Sequence, residues 1–331
     1  MAIENAQDFL FQRIREILPQ HISLVDSISE ILHVSNDSAY RRIRGETQLV
    51  LEETRQICDH FHLSLDQMLN VKSGAILFQT VRIDNKNYPF ENYLGGILQH
   101  LQQTESFLQK EVVYLTKEIP LFHQFTFQPY FAFRYFFWMK SILQHPDYAN
   151  RGFSFDCLTP SIISLGQAVI KSYNNIPSTE IWNSECINST IFQVDYYKEA
   201  GLFSSAADIR MVYEATEESI YHLKNQVENG CKFSPGENPQ FKKSNFKFFY
   251  NRVMLGDNTI LAITDHVKTV FLIFDVLNYM TTADDTFCND TFQGLQNLMK
   301  RSTQISSVSE KQRNIFFNIL IAKIQDRKKH L

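Results

Sequence analysis

Within residues 35–45 the side chains suited to recognising a partner crowd together: Asn36, Asp37, Ser38, Tyr40, Arg41, Arg42 and Arg44. An asparagine amide can pair with the N6–N7 edge of adenine, and an arginine with O6 and N7 of guanine. A carboxylate can accept from N4 of cytosine. Serine and arginine donors also suit phosphate oxygens, contacts that fix orientation without reading sequence. Other candidate chemistry is thinner. His60 and His62 flank Phe61, but an i, i+2 spacing on a helix end does not converge on one metal ion. Asp284 and Asp285 lie in a Thr-rich stretch and could hold a cation, although paired loop carboxylates are usually just solvated. The sequence has no Gly-rich phosphate loop, G-x-S-x-G elbow or H-E-x-x-H motif.

A cluster of this kind needs a rigid element to present it. Ser35 can cap a helix by accepting from backbone N–H groups of its first turn, and Gly45 ends that helix where a positive φ is needed. Upstream, Phe9, Ile14, Ile17 and Leu18 recur at roughly helical spacing, which predicts an amphipathic helix over 4–18 stopped by Pro19. Ser23 caps a second helix over 24–32, with Leu24, Ile28, Ile31 and Leu32 on one face, and His33-Val34 makes the turn into the third. A fourth helix over 51–61 turns Ile57, Cys58 and Phe61 inward. Ser64 caps a fifth that carries Leu65, Met68 and Leu69.

Residues 24–69 resemble the phage-repressor, or XRE, type of helix-turn-helix. The resemblance is a combination: the helix 28–32, the turn His33-Val34-Ser35, the helix ending in Arg44-Gly45-Glu46, and the late signature Phe61-His62-Leu63-Ser64-Leu65-Asp66-Gln67-Met68-Leu69. Two departures are visible. His33 stands where the family commonly has Gly, and Arg42-Ile43 where it often has an apolar residue followed by Glu. The resemblance implies a cytoplasmic, bacterial transcriptional regulator that binds double-stranded DNA with its third helix in the major groove. By position, Asn36, Asp37, Tyr40 and Arg41 then face base edges, while Ser38, Arg42 and Arg44 hold phosphates. One short helix reads few base pairs, so the same mode implies a homodimer reading two half-sites one turn apart.

Charge sets a condition on that expectation. The chain carries a formal net charge of −4, and residues 1–72 hold 7 Lys+Arg against 11 Asp+Glu, also −4. Affinity for phosphate usually comes from a basic surface, so the positive charges must gather on one face. At 331 residues the chain is long enough for two or three domains, and 44% hydrophobic with 21% charged residues marks it as globular. The five cysteines are scattered and show no C-x-x-C spacing. That argues against a disulfide framework or zinc site and fits a reducing compartment. Met1-Ala2-Ile3-Glu4-Asn5 lacks the basic start and apolar run of a signal peptide. The most apolar stretches, 130–143 and 269–280, are broken by Arg134, Lys140 and Asp275 and fall short of the roughly 18–20 residues that span a bilayer. No membrane partner is expected.

Beyond a boundary at Lys72-Ser73-Gly74, residues 75–83 are short and β-like, and 90–108 have helical spacing with a Gln-rich outer face. That pattern fits an exposed connector, a dimer helix or a plain solvated face. Residues 111–119 contain a strand candidate. An aromatic block follows from Phe122 to Trp138, read as core packing in preference to the lining of a ligand pocket. Helical patterns recur over 161–173 and 206–227, the latter closed by Asn229-Gly230, and 234–239 form a surface loop. Residues 246–255, 259–264 and 269–277 read as three strands of one antiparallel meander. The end is helical again, over 291–299 and 309–328, with Ser309 and Gln312 as a capping-box-like start. Arg327-Lys328-Lys329-His330 reads as a frayed, basic helix end.

One near-miss carries catalytic chemistry. His266-Val267-Lys268 followed by Asp275 resembles the H-x-K-x4-D motif of the phospholipase D superfamily, where His is the nucleophile and Lys binds phosphate. Here six residues separate Lys268 from Asp275, Ile273 occupies the expected position, and no second copy occurs, although the active enzymes need two. A strand-turn-strand with incidental His and Lys accounts for it, or a degenerate, non-catalytic relative of that fold.

The expected architecture is therefore an N-terminal all-α five-helix helix-turn-helix bundle over 1–72 and a connector strand and helix over 73–110. A C-terminal mixed α/β domain over 111–331 would have a partly antiparallel sheet flanked by helices and serve dimerisation, sensing or both. The expected partners are DNA, a second copy of the chain, and an effector ligand or protein. No enzyme activity, cofactor or metal is expected. A protein-interaction module without DNA binding is the first alternative, and a phosphodiesterase relative the second.

Overall fold

The computed structural model describes residues 6–18, 22–61, 63, 76–83, 89–241, 243, 245–253, 256–265 and 267–331. Contacts divide the chain into two compact units, Met1–Leu77 and Phe78–Leu331. The expected fifth helix, with Ser64, Leu65, Met68 and Leu69, lies outside the described residues, as do His62 and His266.

The first unit is helical: α1 (Ala6–Ile17), α2 (Leu24–Leu32), α3 (Asn36–Ile43) and α4 (Leu51–Phe61). Its ends follow from local chemistry. The Ser23 side chain accepts from Asp26 N to start α2, and the Ser35 side chain accepts from Ser38 N to start α3. His33 closes α2 at φ 53°, a left-handed conformation that Gly adopts without strain. Gly45, just past α3, has φ 73°. One face of each helix meets in a small core built from Leu10, Phe11, Ile14, Ile28, Ile43 and Ile57 among others. Burial of these groups, not helix propensity, holds elements of 8 to 12 residues that would be marginal alone.

The second unit is a mixed sheet with helices. Its strands are β1 (Gln79–Val81), β2 (Lys110–Leu115), β3 (Ser178–Trp182), β4 (Phe246–Tyr250), β5 (Thr259–Thr264), β6 (Lys268–Asp275), β7 (Asn278–Thr282) and β8 (Thr303–Gln304). Among the described residues they lie in the order β1-β7-β6-β5-β2-β3-β4-β8. The centre, β2-β3-β4, is parallel and every other pairing is antiparallel. The coarse expectation of a partly antiparallel sheet with helices describes this unit. The meander does not: β5 and β6 pair, but β4 lies beside β3 and β8, while β5 crosses to β2. Strands β4 and β5 are neighbours in sequence but not in the sheet, where β2 and β3 fill the gap between them.

Alternation along the strands divides the core. Val113, Ile181, Leu261 and Val270 face one side, where α11 (Asp285–Lys300) covers them with Cys288 and Leu295. The other face carries most of the core, beneath α5 (Phe90–Ser106), α6 (Leu121–Gln124), α7 (Gln128–Phe137), α8 (Pro160–Asn175), α9 (Asn188–Glu199), α10 (Ala206–Asn229) and α12 (Glu310–Lys329). The aromatic block forms α6, α7 and a π-helical turn over Trp138–Ile142, and its rings are largely buried. Helix α5 packs against α8 within this unit. All five cysteines are buried.

A buried charge sits at the middle of the sheet. Glu180 on β3 is fully enclosed and accepts from Tyr173 Oη at 2.6 Å and Trp182 Nε1 at 2.8 Å, with His123 Nε2 at 2.9 Å. Burial pushes its carboxyl up, but His123, Tyr173 and Lys232 outweigh it and hold the carboxyl below its ordinary value. Lys232 lies over the Tyr173 ring at 3.5 Å and donates to Tyr173 O at 2.5 Å. Its own burial lowers its pKa to about 7.

Three terminal details differ from expectation. Helix α11 begins at Asp285, six residues before the expected start, because Asp284 caps it by accepting from Phe287 N at 2.8 Å. Ser309 sits at φ 55° and makes no side-chain cap for α12. The basic end is not frayed: Lys328 reaches Glu217 at 2.6 Å and Arg327 reaches Asp195 at 3.1 Å. No helix of the described residues is long and apolar enough to cross a membrane.

Candidate nucleic-acid interface

Helix α3 is eight residues long, and its periodicity sorts its side chains by direction. Ala39 and Ile43 are buried in the core of the first unit. Asn36, Asp37, Tyr40 and Arg41 are exposed, as is Arg44 at its C-cap. These five therefore share an outward side. Ser38 and Arg42 are half-buried and set apart from them.

The outward groups are lightly held. Asn36 Nδ2 donates to Asp26 Oδ1 on α2 at 3.0 Å, and the amide still has a second N–H and a carbonyl oxygen to offer. Arg41 Nε lies 3.5 Å from Asp37, with both side chains mostly exposed. Arg44 stacks its guanidinium 5.1 Å from the centre of the Tyr40 ring and lies 3.4 Å from Glu46. Exposed pairs of this kind are worth little, because water and salt screen them and ordering two long side chains costs entropy. Each arginine can leave its partner for a phosphate or base edge at small cost.

Arg42 is held differently. Its Nη2 reaches Glu53 Oε1 at 2.7 Å, its Nε reaches Glu53 Oε2 at 3.1 Å, and its Nη1 donates to Ser38 O at 3.2 Å. The two side chains are only 16% and 19% exposed. The pair ties α3 to the start of α4. The Arg42 hydrogen bond holds the Glu53 carboxyl below its usual range, against an opposing push from burial, with a contribution from Val50 N. That backbone N–H donates to Glu53 Oε2 at 3.2 Å and starts α4. Ser38 keeps its hydroxyl against Ser35 Oγ at 3.1 Å, at the N-terminus of α3 where helix N–H groups favour an anion.

Two residues that position α3 were not singled out in the sequence. Glu53 is one. Gln7 on α1 is the other: its Nε2 donates to Arg42 O at 2.7 Å and Thr47 O at 2.8 Å, and its Oε1 accepts from Leu49 N at 2.9 Å. Three bonds from one amide pin the loop that follows α3. The only sequence signal for either was a polar residue on an otherwise apolar helix face, which is too common to be read alone.

The near-miss for phosphodiester chemistry gains no assembly. Lys268 and Asp275 begin and end β6, so they lie roughly 23 Å apart at about 3.3 Å per residue. Lys268 Nζ donates to Asn289 Oδ1 at 2.8 Å, and Asp275 accepts from Asn278 Nδ2 at 3.1 Å. No group of three or more His, Cys, Asp or Glu that could hold a metal ion occurs among the described residues. No protein-family model, no curated protein and no solved structure matches this chain.

Proposed function

We propose that the chain is a sequence-specific DNA-binding transcriptional regulator of the XRE helix-turn-helix type, with α3 entering the major groove. The observation that carries this reading is the outward side of α3. Asn36, Asp37, Tyr40, Arg41 and Arg44 are exposed together on a short capped helix whose other side is core. Asn36 and Arg41 have the chemistry for adenine and guanine edges, and Asp37 for cytosine N4. Arg44 and Ser38 supply phosphate contacts. Arg42 braces α3 through Glu53, so its part in binding is to orient the helix.

The first 72 residues carry net negative charge, so one copy binds weakly and in a salt-dependent way. Two copies reading half-sites one turn apart raise both affinity and selectivity. The Phe78–Leu331 unit is the part available to pair copies or to sense an effector, and the setting is a bacterial cytoplasm. No catalytic role is assigned.

Capture of genomic fragments on purified protein tests the reading. A discrete set of duplexes is expected with the native chain, and Arg41→Ala should redistribute or abolish it. Failure to enrich any sequence, or an identical set with Arg41→Ala, refutes it. One observation favours a protein-interaction module instead: Val50 and Leu51, at the start of α4, are 60% and 76% exposed. Salt-insensitive retention of a protein, lost in Leu51→Ser, would establish that reading.

A further inference from the structure

A cavity of about 110 Å³ lies in the second unit, between α5 and the strands β2, β5, β6 and β7. Its wall is mostly hydrocarbon and aromatic, with Ile97 and Leu101 from α5 facing Ile260, Ala262 and Phe271 from the sheet. Interiors pack closely, so a void of this size beside so dense an aromatic core is a feature to explain. An engineered apolar cavity of about 150 Å³ stays dry and takes benzene.

One end of the cavity is polar, and its groups have unequal duties. Arg134 is 1% exposed and donates from Nε to Gln124 Oε1 at 2.6 Å and from Nη1 to Gln193 Oε1. Its Nη2 lies 3.5 Å from Glu118 Oε2. Among the described residues the Glu118 carboxylate is otherwise held by long bonds from Asn258 Nδ2 and Ser189 Oγ, both 3.4 Å. The two charges at this end cancel. Tyr114 also lines the cavity, is only 2% exposed, and its hydroxyl has no hydrogen-bond partner among the described residues. Burial, with Glu118 and Glu180 nearby, raises its pKa well above the ordinary value, so it remains an O–H donor. Trp138 also lines the cavity, and its indole N–H lacks an acceptor among the described residues.

We infer that this cavity binds a small uncharged molecule, mostly aromatic or branched hydrocarbon, carrying one hydroxyl or carbonyl oxygen that accepts from Tyr114. A charged ligand fits poorly. Arg134 and Glu118 already neutralise each other, so a carboxylate or ammonium would bring an unpaired charge into an apolar wall. A pure hydrocarbon would fill the space but leave the Tyr114 hydroxyl unpaired. The inference does not rest on the DNA-binding proposal, because the cavity lies wholly within Phe78–Leu331 and its occupancy can be measured without DNA.

Ligand-observed NMR titration of the full chain at neutral pH, with four probes of nearly equal size, tests it. Benzyl alcohol should bind. Toluene should bind about five-fold more weakly, the worth of one neutral hydrogen bond. Benzoate and benzylammonium should bind at least about ten-fold more weakly than benzyl alcohol. Tyr114→Phe, which keeps the ring, should bring benzyl alcohol down to the level of toluene and leave toluene unchanged. Ala262→Trp should abolish binding of all four, and Ala262→Leu serves if the larger side chain prevents folding. Absence of binding by both uncharged probes overturns the site. Benzoate or benzylammonium binding as tightly as benzyl alcohol overturns the ligand class. Binding unaffected by filling at Ala262 overturns the location.

Discussion

Replacing Glu53 by Ala should loosen α3 without touching its outward side. The carboxylate makes two charge-assisted bonds to Arg42 and accepts a third from Val50 N. Because the pair is less than one-fifth exposed, it is shielded from much of the screening that makes surface pairs nearly worthless. Its loss leaves the guanidinium with Ser38 O alone in a half-buried setting. Hydrogen bonds to charged groups contribute about 1.5–3 kcal/mol each, and water will partly replace them at this depth, so a cost of about 2 kcal/mol is expected. Hydrogen exchange at the α3 and α4 amides reads this directly, since local opening sets the rate. About 2 kcal/mol corresponds to roughly 30-fold faster exchange. Arg55→Ala, which breaks an exposed pair with Glu52 on the same helix, is the control and should change exchange by less than about two-fold. The folded-state pKa of Glu53 is depressed, so its contribution is fully present above the unfolded value near 4.3 and is lost as pH falls through the folded value. The difference between native chain and Glu53→Ala should therefore close in acid. If Glu53→Ala exchanges no faster than Arg55→Ala at neutral pH, the brace does not exist as described.

Gln7→Ala should also destabilise the first unit, by about 2 kcal/mol, because three bonds to the loop after α3 are lost together; chemical denaturation followed at that unit checks it. Gly45→Ala should cost about 1 kcal/mol through its φ of 73°, since the added methyl would meet only Asp8 Oδ1 at an ordinary 3.4 Å; a cost near zero in the same assay would contradict the strain argument. In the second unit, Lys232 has its pKa lowered to about 7 by burial, against an unfolded value near 10.4. The unfolded chain then binds more protons between those values, so this group makes stability rise with pH from about 7 upward. Denaturation midpoints between pH 7 and 9.5 should show that rise in the native chain and a flatter profile in Lys232→Met; equal slopes would refute the assignment.

The helices of the first unit were legible because each carries its own instructions. Ser23 and Ser35 cap, Gly45 stops, and apolar residues return at helical spacing, all within a dozen residues. Strand β5 was legible for the same reason, as an apolar run bounded by turns. Strand β3 was not, because Glu180 stands at its centre. Nothing local announces that His123, Tyr173, Trp182 and Lys232 converge to satisfy a buried carboxylate. Helix α9 was missed because polar Thr190 is buried while Phe192 and Tyr196 lie exposed, which erases its amphipathic pattern. The order of strands was beyond local reasoning, since β2 and β3 separate β4 from β5. At the candidate interface the outward residues of α3 could be named from helical periodicity. The inward role of Arg42 required Glu53, eleven residues away, and the clamp on the following loop required Gln7, some forty residues away. The cavity was still harder to foresee, because its polar end draws on β2, α7 and the start of β5 at once.

Salt titration of a captured duplex, by fluorescence anisotropy, tests DNA recognition by α3 most directly. Log affinity should fall linearly with log salt concentration for the native chain. Arg44→Ala should make that slope shallower by about one per binding unit while leaving sequence preference unchanged, as expected for a phosphate contact. Arg41→Ala should instead cost about 1–3 kcal/mol on the captured duplex and little on an unrelated one, as expected for a base contact. Affinity independent of salt, or indifferent to both arginines, would contradict DNA recognition by this helix.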